Sequence, residues 1–81
     1  PYTQARRCIE IIADALAEVG ASLEHVVRTR MFVTDIARWE PIARAHREAF
    51  GAVSPATSMV EVSKLIDPDM LVEIEAEAIA D

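Results

Sequence analysis

What the chain lacks narrows its chemistry before any motif is considered. It has one cysteine, Cys8, so no internal disulfide framework can brace it, and nothing in its thiol content argues against a reducing cytoplasm, the expected compartment. Its two glycines, Gly20 and Gly51, are too few and too far apart for a glycine-rich phosphate cradle. No apolar run approaches the ~20 residues of a membrane span, and no signal-peptide pattern opens the sequence. Basic residues are in the minority, 8 Lys and Arg against 14 Asp and Glu, for a net charge of −6. They are scattered, with Arg6–Arg7 the only adjacent pair. A stripe able to displace counterions from phosphates is missing, and nucleic acid is not an expected partner. His25, His46 and Cys8 fall in different elements without metal-ligand spacing, so no metal site is expected.

What is present is apolar and short. Hydrophobic residues make up 52% of the chain, above the ~45–50% of a typical soluble domain. The 81 residues are expected to form a single domain, 1–81. A chain of this size buries only about 60% of its unfolded surface when it folds alone. The surplus apolar surface points to self-association. The sequence opens on Pro1 rather than methionine, which points to a processed, truncated or partly sequenced product.

Periodicity places the elements. Residues 3–19 carry an apolar stripe of Ala5, Cys8, Ile9, Ile12, Leu16 and Val19 at helical spacing, with Thr3 a candidate N-cap and Gly20 at the left-handed C-terminal position. After the short turn "SLEHV", the β-branched and aromatic run Val26–Thr34 predicts a strand. Strict alternation puts Val27, Thr29, Met31 and Val33 on one of its faces and Arg28, Arg30, Phe32 and Thr34 on the other. A second helix is predicted from Trp39 to Phe50, with Pro41 in its first turn, a buried stripe of Ile42, Ala45, Ala49 and Phe50, and Gly51 as its stop. Strands follow over Thr57–Leu65 and Met70–Ala80, joined through "IDPD". Two helices on one face of a mixed sheet make a two-layer α+β architecture. Three strands are few for a stable sheet, which commonly has ~4–6, so further chain or neighbouring subunits should complete it.

The ordered pieces "RTRMFVTD", "REAFG", "SPATSMVEVSKL" and "LVEIEAEAI" resemble the YjgF/YER057c/UK114 family, also called the Rid family of reactive-intermediate deaminases. The resemblance covers essentially the whole chain and matches the later two-thirds or so of the family fold. It implies a chorismate-mutase-like fold, a homotrimer with small-molecule clefts between subunits, and hydrolysis of enamine or imine intermediates without a cofactor. The family also begins with a strand hairpin that this chain lacks, consistent with the strand shortage. Where the deaminase branch reads Pro-Ala-Arg-Ser, often with a cysteine two places after the arginine, this chain has Thr57 and Met59. A family asparagine is replaced by Ala43. The family glutamate used near the water or imine nitrogen is matched by Glu73.

The candidate site is therefore Glu73 as the catalytic carboxylate and Thr57, Ser58 and Met59 as the substrate-binding strand, on the strength of that resemblance. Arginine holds a carboxylate through a bidentate fork, which threonine cannot supply. Imine hydrolysis needs a carboxylate that orients water and passes a proton, a role favoured by partial burial. Glu75 and Glu77 are expected to answer Arg28 and Arg30 across strands, and Glu61 is a further candidate for that acidic lattice. His46, near the buried stripe, is expected to be a satisfied, partly buried histidine, and Trp39 to pack at the helix start. Three functions stay open: an imine or enamine deaminase, a non-catalytic small-molecule-binding or assembly module, and the endoribonuclease attributed to some relatives, which fits a net charge of −6 poorly.

Overall fold

The computed structural model describes residues 1–80, in the order α1 (Tyr2–Glu18), β1 (Val26–Val33), α2 (Trp39–Phe50), β2 (Ala56–Glu61) and β3 (Val72–Ala78). Short 3-10 turns at Leu23–His25 and Ile36–Arg38 precede β1 and α2. The α2 bounds are those predicted, while both later strands are shorter than their apolar patterns. β1 lies in the middle of the sheet, in the order β2-β1-β3. It pairs parallel with β2, through a crossover that contains α2, and antiparallel with β3. A parallel pair needs a connection of that length, which explains why α2 sits between its strands.

Both helices cover one face. Ala5 of α1 and Ile42 and Ala45 of α2 pack with Met31, Val33 and Val72, while Ile9, Val26 and Phe50 form a second cluster. Ile74, Ala76 and Ala78 of β3 add partly buried contacts. The other face is uncovered. It carries Arg28, Arg30 and Phe32 of β1 opposite Glu77, Glu75 and Glu73 of β3, and Ser58 and Val60 of β2. Phe32 and Val60 are its apolar members, and this half of the sheet has no second layer.

Several local expectations are corrected. Thr3 lies inside α1, whose N-cap is Pro1 without a side-chain bond. Val19 is 77% exposed and leaves the buried stripe. A β-bulge at Val27, between the Val26–Ala78 and Arg28–Glu77 pairs, shifts the alternation by one residue. Val26 therefore joins Thr29, Met31 and Val33 in the core, and Val27 faces out. Gly51 keeps helical angles, and Ser54 takes the positive φ in the following loop. Glu61 stays out of the acidic lattice: its Oε1 accepts the Ile36 N–H at 2.9 Å and ties the turn before α2 to the end of β2.

Gly20 behaves as predicted. At φ +77° it lets its own N–H reach the Ala17 carbonyl at 3.1 Å and the Ala21 N–H reach the Leu16 carbonyl at 2.9 Å, the paired closure of a helix C-terminus. A Cβ there meets nothing within 4 Å, so the demand is on backbone conformation alone. Gly20→Ala should lower unfolding stability by about 1–2 kcal/mol, the cost of a left-handed non-glycine residue, with an unchanged urea m-value. Gly20→Asn should lose less.

Candidate functional site

The groove between α2 and the β2 edge is built from two parities. On α2, Trp39, Ala43 and Arg47 recur every fourth residue and stand beside the buried stripe, so they line a rim rather than the core. On β2, alternation sends Thr57 and Met59 to the helix-covered face, in register with Thr29 and Met31. With Ile36 and His46 these side chains enclose a groove of about 400 Å³. Trp39 is 46% and Ile36 38% exposed, so the groove offers ligand-accessible apolar walls.

Behind it lies a hydrogen-bonded chain of three side chains. His46 Nε2 is 2.8 Å from Thr29 Oγ1, which is 2.9 Å from Thr57 Oγ1. Thr57 donates to the Pro55 carbonyl at 3.1 Å. Each hydroxyl can donate to one neighbour and accept from another, so the three side chains satisfy one another with the Pro55 carbonyl as a further acceptor. The contact of His46 Nε2 with Thr57 Oγ1, at 3.5 Å, is secondary. Burial lowers the His46 pKa below its ordinary value, keeping the imidazole neutral. Its ring also packs on Phe50, with centroids 4.7 Å apart.

The groove gathers Thr57, Met59 and Ala43, the three positions at which the resemblance predicts replaced cleft residues. Glu73 and Ser58 are not among them. Both lie on the uncovered face, two strands apart, Glu73 opposite Phe32 and Ser58 opposite Arg30. Glu73 is exposed in the single chain, so the expected partial burial is absent here. Its neighbours form the predicted lattice, in which Arg30 reaches Glu75 at 3.0 Å and Glu77 at 3.7 Å. Exposed pairs of this kind contribute about 0.2–1 kcal/mol. A larger depression of about 490 Å³ between α1 and α2 is lined by Tyr2, Ile9, Leu23 and Glu48 among others and holds no predicted site residue. Burial pushes the Cys8 thiol pKa up, away from the reactive thiolate. Among the described residues no His, Cys, Asp and Glu cluster is placed to hold a metal.

The sequence patterns did not single out Arg47 or Thr29. The four-residue recurrence of Trp39, Ala43 and Arg47 was a legible signal for Arg47. The Thr29–Thr57 pairing was not, because it depends on strand register.

Two helices over one face of a three-strand mixed sheet, with a groove at the α2–β2 edge, define a two-layer α+β protein of YjgF type. The chain belongs to the family described as Endoribonuclease L-PSP, whose profile matches residues 1–80. It is 36% identical over 78 residues to an uncharacterised protein of Streptomyces coelicolor, covering 96% of this chain and 58% of that protein. It is 40% identical over 73 residues to a RutC family protein of Pyrococcus abyssi, covering 90% of this chain and 57% of that protein. Among solved structures, a Mycobacterium tuberculosis member of the YjgF/YER057c/UK114 family superposes with a TM-score of 0.93 at 51% identity, over 94% of this chain and 64% of that one. Escherichia coli TdcF, solved with bound serine, gives 0.90 at 26% identity, over 99% of this chain and 65% of that one. The chain thus spans somewhat over half the length of the curated relatives it matches.

The His46 shift has a direction that can be measured. Above the ordinary histidine value of 6.5 the ring is neutral folded and unfolded, and the stabilisation is complete. Below it the unfolded chain takes up the proton first, so stability falls until the pH passes the lowered native value. His46→Gln should remove this component, giving a smaller drop in urea midpoint between about pH 7.5 and pH 5 than the parent shows. At neutral pH the variant should be less stable by about 1 kcal/mol.

Proposed function

We propose that this protein handles a small reactive metabolite, hydrolysing an imine or enamine in a cleft formed between subunits of a homotrimer. One observation carries the proposal: the positions matching the family cleft converge on one groove, while the matching glutamate stands on the opposite, uncovered face of the same sheet. A single chain cannot turn Glu73 toward its own Thr57. A second copy, docked on the uncovered face, can set the Glu73 of one subunit beside the groove of the next. The uncovered apolar groups Phe32 and Val60 give that docking a driving force.

In such a cleft Glu73 accepts a proton from water as the water oxygen adds to the imine carbon. It returns the proton to nitrogen to give a carbinolamine, then carries the hydroxyl proton to the same nitrogen as the carbon–nitrogen bond breaks and the carbon–oxygen double bond forms, and a carbonyl compound and ammonia leave. No cofactor is required. The groove walls exclude bulk water and seat the apolar part of the substrate. The second reading, a binding module without catalysis, draws on Thr57 and Ala43, which leave the matching positions without a charged anchor. Endoribonuclease action has less support, because the net charge is −6 and the basic residues are scattered along the chain.

The intact protein should accelerate the loss of imine absorbance when 2-iminopropionate is generated in a coupled assay. Glu73→Ala should cut that acceleration by about 100-fold or more, the usual worth of a positioned proton-transfer group. Thr57→Arg should raise it by restoring a carboxylate fork. No acceleration by the intact protein rejects the standard deaminase reading and leaves the binding module. A sedimentation mass of one subunit for the intact protein removes the inter-subunit cleft.

A further inference from the structure

The sheet side of the groove ends in a second polar tie. Strand alternation carries Thr57, Met59 and Glu61 along one row of β2, in register with Thr29, Met31 and Val33. Thr57 stands at one end of the row, its Oγ1 3.5 Å from His46 Nε2. Glu61 stands at the other, where its Oε1 accepts the Ile36 N–H at 2.9 Å. A strand rises about 3.3 Å per residue, so the row spans about 13 Å with Met59 at its middle. The direction of the Ile36–Glu61 bond is fixed, because a backbone N–H can only donate.

The facing wall depends on that bond. Ile36 opens the Ile36–Arg38 turn, and every residue from Asp35 to Glu40 is exposed. Within the turn the Ala37 N–H returns to Asp35 Oδ1 at 3.0 Å, and the Arg38 N–H to the Asp35 carbonyl at 3.1 Å. Among the described residues, the Ile36 N–H is the one donor of the turn that reaches another element. A segment with little burial and one such tie belongs to the most easily opened part of a fold. Yet its Ile36 side chain lines the groove together with Trp39 and Met59.

We infer that Glu61 is the latch that sets the length of the groove: by holding Ile36 beside Met59 it closes the far end and limits the apolar body that can be seated. This rests on the groove assigned above and adds the residue that determines its size selectivity. Glu61 acts through Ile36, so it is a positioning residue and not a catalytic one. Releasing it lets the turn swing away from Met59, and the groove then admits longer chains.

The test combines amide exchange at Ile36 with titration calorimetry on the intact protein, both independent of turnover. The probes are pyruvate, the carbonyl product of 2-iminopropionate, and 2-oxooctanoate, which carries the same head on a longer chain. Glu61→Ala should speed Ile36 exchange about tenfold. It should raise the affinity for 2-oxooctanoate relative to pyruvate about tenfold, the worth of one or two further methylenes seated. Glu61→Gln keeps an acceptor oxygen and should restore both quantities towards the parent. The two variants remove the same charge, so an effect of charge alone would move them together and would leave the preference between probes unchanged. Ile36→Ala, with Glu61 intact, should give the same shift in preference, and Glu61→Ala added to it should change little. Glu61 is exposed, so its variants should keep a thermal midpoint near the parental one. Unchanged Ile36 exchange in Glu61→Ala, an unchanged preference, or no binding of either probe overturns the inference. The preference shift without imine hydrolysis by the parent rejects the enzyme reading alone, while hydrolysis without the shift rejects the latch alone.

Discussion

Strand β1 is the one element hydrogen-bonded on both sides, and its two-residue alternation decides what every other element can do. The bulge at Val27 sets the phase of that alternation. Once Val26 is turned inward, Thr29, Met31 and Val33 must follow, and Arg28, Arg30 and Phe32 must face away. β2 and β3 inherit the same division through their registers. A one-residue slip in β2 would turn Ser58 to the helix-covered face and Thr57 and Met59 to the other. The groove would then lose its polar floor, and His46 its route to Thr57. Fold and site are thus set by one geometric choice rather than by separate contacts.

The hydrogen-bonded chain behind the groove explains how two polar side chains, Thr29 and His46, are buried at tolerable cost. Thr29 and His46 are buried, and a buried hydroxyl or imidazole without a partner would cost about 1–3 kcal/mol. Each finds its partner in the next, ending at the Pro55 carbonyl. Burial disfavours the charged form of His46 and so lowers its pKa.

The elements were legible because periodicity is local. Trp39–Phe50 shows its stripe, its early proline and its end within twelve residues, and the structure keeps those bounds. The acidic alternation of Glu73, Glu75 and Glu77 was likewise visible, together with one of its two expected arginine partners: Arg30 pairs with Glu75 and Glu77, and Arg28 makes no ion pair among the described residues. What was hidden depends on relations between elements. The Val27 bulge has no residue signature, since valine suits either phase of a strand. Glu61 looked like one more lattice carboxylate, yet it holds the Ile36 N–H, because the strand ends beside the turn that enters α2. The candidate site divided for the same reason. Thr57 and Glu73 came together through a family resemblance, and only the two registers reveal that they occupy opposite faces.

That division has a physical consequence for assembly. In this chain the uncovered face joins apolar groups, Phe32 and Val60, to an arginine–glutamate lattice whose pairs are largely solvated. Covering it with a second copy removes apolar area from water, which is favourable, and dehydrates the lattice, which is costly unless the charges stay paired. Arg30 already meets two carboxylates, so the lattice carries a surplus of negative charge on the β3 side. Glu73 is the member of that row set opposite Phe32 rather than an arginine. It is consequently the carboxylate with least to hold it in the lattice.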